Sequence, residues 1–335
     1  MRELTLDKLP KKTLAKLDIE TAFKASRCVI AAERLSVFRK LHGGRMTARQ
    51  LARRTGIRLK YCEGFLDFLA YLGLLVKEGE RYRNSALAEK CFVHGRSADW
   101  SRLWSEECGK DYEALSVLEE AITGDRDWRE ILGKERVPDY ELAKEDPRWA
   151  RDFTYALYDL YKPDAELLAK QLDLSGYHAL LDVGGGSGVV SMAMARRFPE
   201  LQAFVLDFEY VCDAARKIIR KEGLGGRVKT VAGDMNESLP PGFDVIMFWN
   251  IGWIDTRVMK TAYERLPVGG MVVRSCAPTS KSSGPSGSTF MHEYFGVRPK
   301  SQSGAGIQES LREAGFRSVK YRKISANFGL ITALK

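Results

Sequence analysis

The stretch Leu180-Leu181-Asp182-Val183-Gly184-Gly185-Gly186-Ser187-Gly188 constrains this chain more than any other. Its apolar start, bounded by glycine, reads as a short buried strand. Four glycines between positions 184 and 188 let backbone approach a bulky group that a Cβ would repel. A helix from Val189 to Arg197 opens behind the turn and aims its free N–H groups at that group. A second strand, Ala203 to Leu206, ends at Asp207, where a carboxylate suits the hydroxyls of a sugar.

From residue 180 onward, strands alternate with helices, the pattern of a parallel sheet covered on both faces. The expected strands are 180–184, 203–207, 228–232, 244–249, 271–275, 317–322 and 328–334, with helices at 189–198, 209–223, 256–266 and 304–314. The last two strands lie close enough together to form an antiparallel hairpin. Thr279 to Ser288, rich in Ser and Gly, reads as a loop or lid at the carboxyl edge of the sheet, where ligands bind in open α/β folds.

The N-terminal third has a different character. Residues 13–42 read as a helix stopped by Gly43-Gly44, Thr47 caps a short helix, and Gly56 turns the chain into another from Leu59 to Leu72. Leu74-Leu75-Val76 and Tyr82 flank Glu78-Gly79-Glu80 as a small hairpin, which completes a winged helix. Residues 1–98 hold 21 Lys and Arg against 10 Asp and Glu, so nucleic acid must be weighed as a partner. The would-be recognition helix offers only Arg58 and Lys60, sets Glu63 against phosphate, and spends Phe65, Leu66, Phe68, Leu69 and Leu72 on packing. Dimerisation or pocket covering is the better reading. Asp139 to Asp146 reads as a polar connection, Trp149 to Tyr161 as a long helix, and Pro163 as the start of the next, Ala165 to Leu172.

Hydrophobic content of 44% and charge of 29% are those of an ordinary globular chain. Apolar runs fall short of the ~20 residues of a membrane span, and the charged segment Met1 to Lys16 lacks a signal core, so a cytoplasmic protein is expected. Cys28, Cys62, Cys91, Cys108, Cys212 and Cys276 are scattered without C-x-x-C pairs, which argues for free thiols and against a metal centre.

The glycine turn fails the dinucleotide pattern G-x-G-x-x-G, because Val189 stands where the third glycine belongs, and it lacks the Lys-Ser/Thr of a P-loop. What stands is apolar-apolar-Asp-Val-Gly-x-Gly-x-Gly, followed by Asp207, Gly233-Asp234-Met235 and Phe243-Asp244-Val245-Ile246. This set resembles the class I S-adenosylmethionine-dependent methyltransferases. The resemblance implies an α/β fold with a Rossmann-like seven-stranded methyltransferase core and an N-terminal winged-helix, mostly helical dimerisation domain. It implies S-adenosyl-L-methionine as cofactor, with Asp182, Gly184, Gly186, Asp207, Asp234, Met235 and Trp249 around it.

Leu51-Ala52-x-x-Thr55-Gly56 and Tyr71-Leu72-Gly73-Leu74-Leu75 carry the likeness into the first third. There the chain is similar to the small-molecule O-methyltransferases of the acetylserotonin and caffeic acid type. Phe153-x-x-Ala156-Leu157 matches the helix that lines their acceptor pocket, although Phe153 and Leu157 also fit plain core. The implied organisation is a dimerisation domain over 1–100, a helical bridge over 101–176 and the cofactor-binding core over 177–335. The implied assembly is a homodimer acting on a small-molecule methyl acceptor.

The catalytic segment departs from that family. Where its members carry a His-Asp-Trp segment, this chain reads Phe248-Trp249-Asn250-Ile251-Gly252-Trp253-Ile254-Asp255. The histidine position falls on Trp253 counted from Asp244, or on Ile251 aligned on tryptophan, and neither takes a proton. Arg274-Ser275-Cys276 and Arg298-Pro299-Lys300 occupy the segments of the orienting glutamates. Three possibilities stand. His292, in Phe290-Met291-His292-Glu293-Tyr294, serves as base, an arrangement that resembles the bacteriochlorophyllide C-methyltransferases. Or the acceptor is a thioether or amine that needs no base, as in the methylthiohydroxybutyrate S-methyltransferases, with Arg274, Arg298 or Lys300 gripping an anionic group. Or the protein binds the cofactor without methylating, as a sensor that uses its winged helix on DNA. The expected function is methyl transfer to oxygen by family default, with carbon or sulfur as alternatives. Trp253 and His292 are the candidate catalytic residues, and Phe153, Leu157 and Arg298 the candidate pocket.

Overall fold

The computed structural model describes residues 19–93, 108–134, 139–252, 254–276, 290, 294–295, 304–325 and 328–335. They fall into two compact units, Met1–Val137 and Pro138–Lys335. His292, Trp253 and Arg298, with the loop from Thr279 to Ser288, lie outside the described residues. Among the described residues, no helix is long and apolar enough to cross a membrane.

In the first unit the long helix expected over 13–42 is two, α1 (Ile19–Arg34) and α2 (Val37–Leu41). Ser36 separates them in the left-handed region, at φ 59°. A strand of two residues, β1 (Met46–Thr47), precedes α3 (Ala48–Thr55), whose Thr47 and Gln50 form a reciprocal capping box. After α4 (Leu59–Tyr71), β2 (Leu75–Glu78) and β3 (Arg81–Asn84) make the expected hairpin. They join β1 in an antiparallel sheet of order β1-β3-β2. The Tyr82 hydroxyl donates to Asp67 at 2.7 Å and Lys77 pairs with Asp67 at 2.8 Å, tying the wing to α4. Four short helices follow: α5 (Ala86–Cys91), α6 (Cys108–Leu115), α7 (Leu118–Thr123) and α8 (Trp128–Leu132).

Asp139 to Asp146 is not a bare connection; it holds α9 (Asp139–Glu145). Then α10 (Pro147–Gln171) runs unbroken through Pro163, where the sequence suggested two helices. A proline inside a helix costs about 3 kcal/mol. Here the apolar face continues past it, from Trp149, Ala150 and Ala156 to Ala165, Leu168 and Ala169, all buried. Each large buried side chain contributes about 1.5–3 kcal/mol, so packing outweighs the break.

The sheet contains β4 (Ala179–Val183), β5 (Gln202–Asp207), β6 (Val228–Ala232), β7 (Val245–Phe248), β8 (Met271–Cys276), β9 (Arg317–Lys323) and β10 (Gly329–Leu334). Their order is β6-β5-β4-β7-β8-β10-β9, parallel except for β10, which runs antiparallel to β8 and β9. The closing hairpin is therefore as expected. Helices α10, α11 (Val189–Arg197) and α12 (Glu209–Lys221) cover one face around Leu168, Met192, Ile218 and Met247. Helices α13 (Thr256–Arg265) and α14 (Gly304–Glu313) cover the other around Leu181, Ile246, Met259 and Leu311. The chain winds from β4 outward to β6, then crosses back to β7 on β4's other side. That reversal opens a crevice at the carboxyl ends of β4 and β7, where the glycine turn lies.

Candidate active site

Gly184 and Gly186 take positive φ, 61° and 55°, which L side chains rarely adopt. At Gly184 a Cβ would also come within 2.7 Å of the Ile251 side chain, so the turn is packed from beneath while its rim stays open. Gly186 N–H donates to Asp207 Oδ2 at 2.9 Å and Phe208 N–H to Oδ1 at 2.8 Å. Two backbone donors fix the Asp207 carboxylate beside the turn and leave lone pairs for further hydroxyl donors. Burial pushes its pKa up to about 6 against those two bonds, and the charge of Asp234 adds to the rise.

Asp182 behaves differently. It has no exposed surface; its Oδ2 accepts from Ser191 Oγ at 2.7 Å, and Oδ1 is buried without a partner. Burial first, then the Asp207 charge, raises it to about 7. Asp182 supports the turn from behind, within van der Waals reach of Gly185.

Asp234 and the half-buried Met235 follow β6 on the same rim. Asp234 Oδ1 accepts from the backbone N–H and the Nδ2 of Asn236, both at 2.9 Å, and Oδ2 pairs with Lys144 of α9 at 2.8 Å. Phe153 stacks on Trp149 with centroids 4.4 Å apart and packs with Phe208 against Val211, so α10 does reach the Asp207 rim. Leu157, one turn on, is half-buried. Trp249 is mostly covered, edge-on to Phe328 at 4.8 Å, with its indole N–H buried and unpartnered.

The end of β7 carries a residue that the sequence reading passed over. Asn250 sits at φ 54°, its N–H donates to Ser275 Oγ at 2.7 Å, and its Nδ2 donates to the Tyr161 hydroxyl of α10 at 2.7 Å. Asn tolerates this backbone better than other non-glycine residues, so an Asn directly after an apolar strand was the available signal. Ile251, one candidate for the family's histidine position, is turned into the core beneath Gly184. Asp255 caps α13 by accepting from Arg257 N–H at 2.8 Å. Arg274 is 1% exposed, donates to the Gly252 carbonyl at 2.7 Å, and keeps Nε and Nη1 buried without partners. Burial lowers it to about 10. So placed, Arg274 braces the loop after β7 and does not present a grip for a substrate anion.

A family model described as the O-methyltransferase domain matches residues 115–317, and one for the O-methyltransferase dimerisation domain matches residues 17–94. The chain belongs to the O-methyltransferase family. It is an S-adenosyl-L-methionine-dependent methyltransferase of the small-molecule type. It is 29% identical to the N,N-dimethyltransferase OxyT of Streptomyces rimosus over 95% of both chains. It is also 29% identical to a 3-hydroxy-5-methyl-1-naphthoate 3-O-methyltransferase of Streptomyces sahachiroi, over 95% of this chain and 94% of that protein. Among solved structures, human N-acetylserotonin methyltransferase in complex with SAM superposes with a TM-score of 0.74 at 21% identity, over 95% of this chain and 96% of that one. The likeness to that structure is one of fold. The expected fold class, enzyme class and cofactor all stand.

Proposed function

We propose that the enzyme methylates a small-molecule acceptor whose reacting atom brings its own lone pair, an amine nitrogen first, and that it works as a homodimer through its N-terminal domain. One observation carries the choice of atom. Among the described residues, the carboxyl ends of β7 and β8 offer the Asn250 amide, the Ser275 hydroxyl and, from α10, the Tyr161 hydroxyl, with no imidazole, carboxylate or amine among these three. An amine needs no base for the transfer itself; it sheds its extra proton to water afterwards.

When bound, S-adenosylmethionine supplies an electrophilic methyl group on a sulfonium. Gly184 and Gly186 would give it backbone room, Asp207 would accept from its sugar hydroxyls, and Asp234 and Met235 would flank its base. Trp249 stays a cofactor neighbour by its place at the end of β7. Phe153 and Leu157 line the acceptor side. The Asn250 amide, held by Tyr161, accepts an N–H of the acceptor through Oδ1 and so aims its lone pair. Holding reactants in this way supplies acceleration without a base. The OxyT likeness supports nitrogen. The naphthoate relative supports a second reading, oxygen with His292 as base and with Trp253 and Arg298 as the further candidate residues of that reading.

The test is a labelled-methyl screen of aromatic amines against matched phenols, with His292→Ala and Asn250→Gly. The amine reading expects amines to label, His292→Ala to stay within about threefold of wild type, and Asn250→Gly to lose about tenfold in kcat/KM, the scale of one hydrogen bond. Gly keeps the left-handed backbone, so its loss reports the amide. Phenol labelling abolished by His292→Ala would replace nitrogen with oxygen. Duplex DNA retained by the protein at low salt would favour a regulator instead.

A further inference from the structure

Lys144 is the cation paired with Asp234 after β6. It lies on α9, yet its ammonium reaches two segments of the cofactor rim at once. Nζ pairs with Asp234 Oδ2 at 2.8 Å, and it sits 4.8 Å from the ring centroid of Phe208, the residue whose N–H holds Asp207. The inner side of the same short helix is anchored by apolar contact. Leu142 and Ala143 pack in a cluster with Trp149, Ala150 and Val211, joined by Phe153 and Phe208. Helix α9 is therefore seated over the junction between the β5 and β6 ends, and Lys144 is its polar tie.

We propose that Lys144 is a cofactor-retaining residue, pinning α9 across the nucleoside end of the S-adenosylmethionine site so that release requires the Lys144–Asp234 pair to open. This rests on placing the cofactor at the glycine turn and Asp207. An exposed ion pair contributes about 0–1 kcal/mol to folding. This pair has one largely covered partner, with the Asp234 side chain 13% exposed against 38% for Lys144, and it joins α9 to the segment after β6. Asp234 Oδ2 keeps a lone pair for a neutral amino donor while Lys144 holds the other. The ammonium also offsets the carboxylates at the rim: Asp234, together with Glu141 and Glu237, favours its charged form. An attraction of this kind acts mainly on the dissociation rate.

The experiment uses S-adenosylhomocysteine, which binds without any acceptor, on the full-length protein. Release rates are measured by stopped-flow competition and affinities by calorimetry for wild type, Lys144→Gln, Lys144→Arg and Asp207→Ala. Lys144→Gln is expected to speed release about fivefold with association within about twofold, and Lys144→Arg to restore slow release. Raising salt from about 20 mM to about 500 mM should speed release from wild type and leave Lys144→Gln flat, because screening acts only where the pair exists. Unchanged affinity, release and salt response in Lys144→Gln would overturn the proposal. Full binding by Asp207→Ala would instead overturn the cofactor placement on which it rests.

Discussion

Asp207 is the residue on which the proposed cofactor site turns. Its carboxylate is held by Gly186 and Phe208 N–H groups yet raised from an ordinary 3.8 to about 6, burial being the larger effect. A folded-state pKa above the unfolded value means that Asp207 favours the folded chain most when protonated, an advantage lost as pH rises from about 4 through 6. Ligand affinity runs the opposite way, since the ionised carboxylate accepts sugar hydroxyls more strongly. Affinity for S-adenosylhomocysteine is therefore expected to be full above pH 7 and to fall as pH drops through about 6, measured by calorimetry across that range. A flat profile would contradict the assignment. Asp207 was legible in the sequence because it follows a strand at a spacing set by one strand–helix–strand unit. Asn250 and Lys144 were not. Their partners, Tyr161 and Asp234, lie 89 and 90 residues away along the chain, so only folding brings the pairs together.

At the scale of elements, local signals worked where one residue sets the backbone and failed where packing decides. Thr47 with Gln50 announces α3, and the glycines at 184 and 186 announce the turn. The break between α1 and α2 rests on Ser36 in a conformation that serine seldom takes, so no sequence pattern flags it. Pro163 misleads in the opposite direction: it signals a stop, while the buried stripe from Trp149 to Ala169 carries α10 through it. Pro163 is exposed, so its ring contributes little packing. Pro163→Ala should restore a backbone donor and stabilise the protein by roughly 1–3 kcal/mol, seen as a higher thermal midpoint. A lower midpoint would mean that the proline stiffens the unfolded chain more than it strains the helix.

On the scale of the whole molecule, a dimerisation unit precedes a methyltransferase core. The first unit exposes Phe23 (54%), Leu59 (46%) and Tyr61 (56%), apolar surface of the kind that a partner chain covers. Arg58 and Lys60 lie against the Tyr61 ring, within 5.7 and 4.6 Å of its centroid. The proposed donor half was readable because its residues fall in short motifs on consecutive strands. In the proposed acceptor half, α10 meets the end of β7 through the Asn250–Tyr161 bond, and its distinguishing trait in sequence is the lack of the family's histidine at Trp253 or Ile251. The glycine turn and Asp207 are the proposed cofactor site. Calorimetric titration with S-adenosylhomocysteine tests it most directly, comparing wild type with Asp207→Ala at pH 7.5. One site per chain is expected in wild type, with a loss of about 100-fold or more in affinity in the variant, the lower end for two hydrogen bonds to a charged group. Equal affinity in the two proteins would contradict it.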